Sequence, residues 1–369
     1  MRLRDLGITV GQLAPGPLNA ITDVEGVRVG VTTLVHGDGP LVVGEGPVRT
    51  GVTVIVPHEG IAGEPLFAGC HRLNGNGELT GLEWVRESGT ITTPVAITNT
   101  HSVGVVRDAL ALADAAQHPQ LGSYWSLPVV GETYDGTLND INGGHVAAAH
   151  LHQALSSAAG GPVPEGNVGG GTGMICHEFK GGTGSASRQL AAEQGGWTVG
   201  ALVQANHGDR SRLTVDGVPV GREIGYELVP SPFEEPRDAG SIIVVLATDA
   251  PLLPHQCERL AQRAGLGIAR AGGAGAHSSG DLFLCFSSGN RGRLHSYKDE
   301  MPGSTIGIDM LPDTAITPLF WAAIEATEEA ILNALCAAET MTGVNGVTAH
   351  ALPHDRLLEA MARYGRGQA

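Results

Sequence analysis

Cysteine is scarce and unpatterned in this 369-residue chain. Cys70, Cys176, Cys257, Cys285 and Cys336 are odd in number and widely scattered, and no C-x-x-C pair occurs. Neither a disulfide scaffold nor a zinc knuckle is indicated. Basic residues are also few: 22 Lys and Arg face 38 Asp and Glu, a formal net charge of −16, with no basic cluster to offset it. A phosphate backbone calls for a basic face, so this balance argues against nucleic acid as a partner. No apolar run is long enough to span a bilayer, and no membrane partner is expected. Met1–Leu6 leads into glycine-rich sequence without the apolar segment of a signal peptide, so a cytoplasmic location is expected. The chain also lacks a G-x-S-x-G elbow and a G-x-x-x-x-G-K-[ST] phosphate loop. The i,i+4 histidine pair with glutamate expected of a zinc protease is missing too.

What is present is glycine, 55 residues without a triplet period, and ample apolar sequence for a core. Strands read at 27–34, 51–57, 94–98 and 197–206, and helices at 79–87, 144–155, 318–341 and 353–364. Residues 67–78 read as a loop, and 167–173 and 180–185 as tight turns flanking a strand. Asn99–Ser102 could cap a helix carrying Val103, Val106, Leu110 and Ala113 on one side. Strands and helices are mixed along the whole length, favouring one α/β or α+β unit, residues 1–369, over two domains. The 15 histidines read as scattered and solvent-facing, and His150 and His152 do not share a helix face. No metal or cofactor is expected.

One stretch organises the rest. Ser241-Ile242-Ile243-Val244-Val245-Leu246 reads as a strand buried on both faces, and the proline- and charge-rich 230–238 before it as an exposed loop. A cut between Gly240 and Ser241 would leave a serine with its own free amine at the head of a core strand. That amine, with an ordinary pKa near ~7.7–8.0, could serve as base to the adjacent hydroxyl, an established nucleophile arrangement. An uncut loop-to-strand junction accounts for the same residues. Ser279-Gly280-Asp281, before the strand Leu282–Phe286, reads either as a strand entry or as a second catalytic element.

The residues taken together narrow this. Asn74–Glu78, Asn99-Thr100-His101, Gly131–Gly136, Asn167–Met174, Gln204–Gly208, Gly240–Val245 with Ala247–Pro251, and Ser279-Gly280-Asp281 occur in this order. The combination resembles the L-aminopeptidase/D-esterase (D-amidase) family that includes the β-aminopeptidases, over nearly the whole chain. The resemblance implies a four-layer αββα sandwich, similar to N-terminal-nucleophile hydrolases with different connectivity. It implies self-cleavage into 1–240 and 241–369, and a homo-oligomer, a tetramer of processed pairs. It implies Ser241 as cleavage site and nucleophile, Ser279 and Asp281 as its helpers, and Asn206 and Tyr134 near the oxyanion. Glu132 would hold the substrate amine, or is a solvated turn glutamate. Ser278 places a second hydroxyl beside Ser279. The expected reaction is hydrolysis of short peptides, amino-acid amides or esters through an acyl-enzyme. An acyltransferase and a silent small-molecule binder are the alternatives; turnover and acceptor amines distinguish them.

Overall fold

The computed structural model describes residues 1–119, 122–235, 240–295 and 304–366. Its strands begin with β1 (Arg28–His36), β2 (Val48–Val56) and β3 (Leu66–Gly75), then α1 (Leu82–Ser88), β4 (Thr90–Ile91) and β5 (Val95–Asn99). After α2 (Val103–Ala116) come β6 (Val129–Thr133), α3 (Ala148–Ser157) and a hairpin of β7 (Ile175–Cys176) and β8 (Phe179–Lys180). Next are β9 (Gly182–Gln189), β10 (Thr198–Asn206), α4 (Val220–Glu223), β11 (Ser241–Thr248), α5 (Pro254–Arg270) and β12 (Gly280–Ser287). A long α6 (Thr317–Ala337), the short strands β13 (Met341–Thr342) and β14 (Thr348–Ala349), and α7 (His354–Arg363) close the chain.

Two sheets carry the architecture, with strand orders β1-β2-β5-β6 and β4-β3-β12-β11-β10-β9. The alternation along β11 shows how they stack. Ile242, Val244 and Leu246 join the apolar cluster of α5 and α6, whereas Ile243, Val245 and Ala247 join Ile55, Val95, Ile97 and Val129 of the other sheet. That second sheet turns Val52, Val54, Ala96 and Val130 outward against Val106 and Leu110 of α2 and Leu151 of α3. The layers are therefore helix, sheet, sheet, helix, as the resemblance implies. A strand buried on both faces needs apolar residues at every position, which explains the unbroken run at 242–247. Parallel pairs occur once in each sheet, β5 with β6 and β11 with β12, and in each case a helix makes the crossover.

Two expectations fail for one physical reason. Residues 67–75 of the expected loop form β3, and 180–185 of the expected turn form the end of β8 and the first half of β9. Their glycines serve packing. A Cβ on Gly69 would lie 2.3 Å from Glu258 N of α5, and one on Gly184 only 2.0 Å from Ala330 O of α6, so the helices approach the strands through missing side chains. Residues 169–171, by contrast, do form a tight turn. No side chain of 99–102 caps α2: Asn99 donates to Thr50 Oγ1 instead. The helix expected from Gly144 begins at Ala148, leaving His145 outside it. The loop expected at 230–238 is exposed at Glu234 and Glu235; residues 236–238 lie outside the described residues.

Beneath α6 lies an ion cluster. Arg188, fully buried on β9, reaches Glu325 at 3.1 Å and Glu329 at 2.7 Å. Burial alone would raise the Glu329 carboxyl, but hydrogen bonding to Arg4 and the charges of Arg188 and Arg4 carry it below its usual range. Arg188→Met should destabilise the fold by ~3–5 kcal/mol, because two buried carboxylates lose their shared cation. Chemical denaturation of the two proteins checks this; an unchanged midpoint would refute it.

Candidate active site

Three strand ends converge. Asn206, the last residue of β10, stands opposite Ser241, the first of β11, and Ile242 of β11 stands beside Asp281 of β12. The end of β6 brings in Glu132 and, one residue past the strand, Tyr134. These ends border an open cavity of about 870 Å³, lined among others by Glu132, Tyr134, Asn206, Gly240, Ser241 and Ser278. Gly240 has φ +126°, and a Cβ there would fall 1.8 Å from Asn206 O. Only glycine fits that position, on both counts.

Each side chain is held by a specific contact. The Ser241 Oγ accepts a hydrogen bond from Gly280 N–H at 3.0 Å, a donor that favours charge developing on that oxygen. Ser279 Oγ donates to Asp281 Oδ1 at 2.6 Å, and both residues are buried. Asn206 accepts from Ile175 N at 2.8 Å and gives one of its two amide hydrogens to Tyr134 O at 3.0 Å, which leaves the second for a ligand. Tyr134 is half exposed on the rim. Glu132 is buried, not a solvated turn residue, and accepts from Glu78 N at 2.9 Å and Thr100 Oγ1 at 2.5 Å. Burial raises its pKa; the Thr100 hydroxyl and Glu78 N–H oppose the rise without cancelling it.

The structure thus gathers Gly240, Ser241, Asn206, Tyr134 and Glu132 around one cavity, with the Ser279–Asp281 pair flanking Gly280, whose N–H reaches Ser241. The two serines are separated by their setting: Ser278 lines the cavity, Ser279 does not. Sequence reasoning passed over Thr100 and Glu78 as holders of Glu132, and Ile175 as the donor to Asn206. The only signal for Thr100 and Glu78 was membership in the motif stretches, and Ile175, one residue past Met174, had none, since backbone N–H groups leave no mark in side-chain chemistry. The histidines are not all solvent-facing either: His58, His177 and His207 are buried.

The layer order and the cavity at the sheet ends place the protein among hydrolases built on a variant of the Ntn hydrolase fold. Residues 19–349 match peptidase family S58, and the chain belongs to that family. It is 48% identical to the β-peptidyl aminopeptidase BapA of Sphingosinicella microcystinivorans, an alignment covering 99% of this chain and 93% of that one. The structure superposes on a Burkholderia sp. β-aminopeptidase with TM-score 0.91, 55% identity and 99% of both chains covered. It also superposes on the L-aminopeptidase D-Ala-esterase/amidase of Ochrobactrum anthropi, with TM-score 0.91, 44% identity and 99% of both chains covered. No described helix is long and apolar enough to cross a membrane.

Proposed function

We propose that the protein cuts itself between Gly240 and Ser241 and then removes N-terminal residues from short peptides, amides or esters, with β-amino acids as the preferred residue. The observation that carries this is Ser241 at the head of β11, on the cavity wall, with Gly280 N–H on its hydroxyl oxygen. In the first event Ser241 Oγ adds to the Gly240 carbonyl carbon. The Gly240–Ser241 C–N bond breaks with a proton passing to nitrogen, and water hydrolyses the resulting ester. The freed amine then acts as base while the same oxygen attacks a substrate carbonyl. Asn206 and Tyr134 are donors for the oxyanion, and the Ser279–Asp281 pair assists proton transfer. The high identity to β-aminopeptidases supports β-residues as substrates. The cut pairs assemble into a homo-oligomer.

Intact mass and N-terminal sequencing of purified protein test the first step: fragments 1–240 and 241–369 are expected. A panel of β- and α-aminoacyl nitroanilides tests the second. An intact chain with full peptidase activity would sink the reading.

Glu132 receives the substrate ammonium. Glu132→Gln should raise KM by about ten- to a hundredfold for amine substrates, in line with ~1.5–3 kcal/mol for a charge-assisted hydrogen bond, with a smaller change in kcat. Because the folded carboxyl has a raised pKa, it protonates while pH is still above the ordinary glutamate range. Affinity for cationic substrate should therefore fall on acidification earlier than an exposed glutamate would allow. Glu132→Gln should remove the Glu132 component of the acid limb of the kcat/KM profile and leave the one set by protonation of the Ser241 amine, the general base; an acid limb identical to the parent's would overturn the assignment.

A further inference from the structure

Away from the cavity, Cys176, His177 and His207 bring three donor atoms within 4.8 Å of one another. All three side chains are buried, the most open being His207 at 4%. Strand alternation explains their place. Ile175 and Asn206 line the cavity, so the next residues, Cys176 and His207, fall on the other side, with Cys176 in the helix-side core. His177 N donates to His207 O at 2.7 Å, tying the β7–β8 turn to the end of β10.

The ring nitrogens are arranged as ligands. His177 Nδ1 lies 2.9 Å from Asp209 O, which makes Nδ1 the N–H donor and leaves a lone pair on Nε2. A carbonyl behind the distal nitrogen is the usual support of a metal-bound imidazole. That Nε2 has no hydrogen-bond partner, and on His207 the nitrogen that faces the sulfur is Nδ1. A buried lone pair left without a partner is costly. Cys176 Sγ is 3.9 Å from His207 Nδ1. Sulfur and nitrogen on one tetrahedral ion stand ~3.6 Å apart, so a small adjustment closes the set.

The backbone points the same way. The turn itself holds two consecutive non-glycine residues in left-handed backbone, His177 at φ 48° and Glu178 at φ 59°. Such residues are strained and persist where the surroundings impose them.

We propose that Cys176, His177 and His207 bind one thiophilic d¹⁰ cation, Zn²⁺ or Cu⁺, as a buried clasp between the β7–β8 turn and the end of β10. Thiolate and imidazole donors without a carboxylate select such ions over magnesium or calcium. Binding replaces the S–H bond with a sulfur–metal bond and releases one proton. The ion lies across β10 from Ser241 and takes no part in acyl transfer.

Full-length protein expressed in zinc- or copper-supplemented medium, then dialysed, provides the test. One metal per chain is expected by elemental mass spectrometry, with a tenfold or greater loss in Cys176→Ser and in His207→Gln. X-ray absorption of the parent protein should show one sulfur and two nitrogen neighbours, a readout that needs no variant to fold. Retention of zinc alone assigns a fourth ligand to the site; retention of copper alone assigns a three-coordinate ion. Parent protein without bound metal from either medium, a metal shell without sulfur, or parent-like metal content in Cys176→Ser would overturn the proposal.

Discussion

Ser241→Ala should yield a single uncut chain with no measurable peptidase activity. The hydroxyl is asked to attack twice, first at Gly240 and then at substrate, so its removal closes both reactions. Deleting a serine nucleophile costs on the order of 10⁶ in kcat, which places the residual rate below detection. The fold should survive, because Ser241 is buried and alanine fills most of its volume. Its hydroxyl oxygen accepts only from Gly280 N among the hydrogen bonds assigned to it. Ser241→Cys should still cut, since a thiol can make the corresponding shift. Gel analysis beside nitroaniline release reads both effects. A Ser241→Ala protein hydrolysing at near the parent rate would remove the N-terminal-serine mechanism altogether.

Ser279→Ala should lower kcat by about 10²–10⁴, the range for a lost proton-transfer group. Its hydroxyl hydrogen is committed to Asp281 at 2.6 Å, so its oxygen is left to accept a proton or a hydrogen bond from the reacting side. Ser278→Ala should change kcat by only a few-fold, because Ser278 lines the cavity without the carboxylate behind it. Self-cleavage should suffer less than turnover in Ser279→Ala, since residue 241 has no free amine before the cut and its proton route differs. The same gel and rate measurements decide. Reversal of the two variants would make Ser278 the helper and leave the rest of the mechanism standing.

The sequence displayed the central strand clearly because burial on both faces demands an unbroken apolar run, and 242–247 is one. It displayed the cavity residues only through their combination in order, since each short stretch alone suits an ordinary turn. It hid β3 and β9. There, glycine signals close helix approach, a three-dimensional requirement that in one dimension looks like a turn. It also hid the Cys176–His177–His207 group, in which His207 stands 31 residues beyond Cys176 and meets it only because β7 and β10 lie side by side. The two readings of Glu132, amine holder or solvated turn residue, stood open for a similar reason: its partners are a backbone N–H and a threonine hydroxyl from two other segments.

The strand order has a consequence for folding. β11 and β12 stand in the middle of the six-stranded sheet, between β3 and β10, which both precede Gly240. A chain cut at Gly240–Ser241 would therefore hold its two pieces by interleaved strands, and the core beneath α5 and α6 would belong to neither piece alone. Denaturing the uncut chain is a unimolecular event in both directions. After the cut, refolding becomes a second-order encounter between two incomplete polypeptides, and recovery depends on protein concentration. The mature protein would then persist through the slowness of its unfolding more than through any equilibrium it could re-establish.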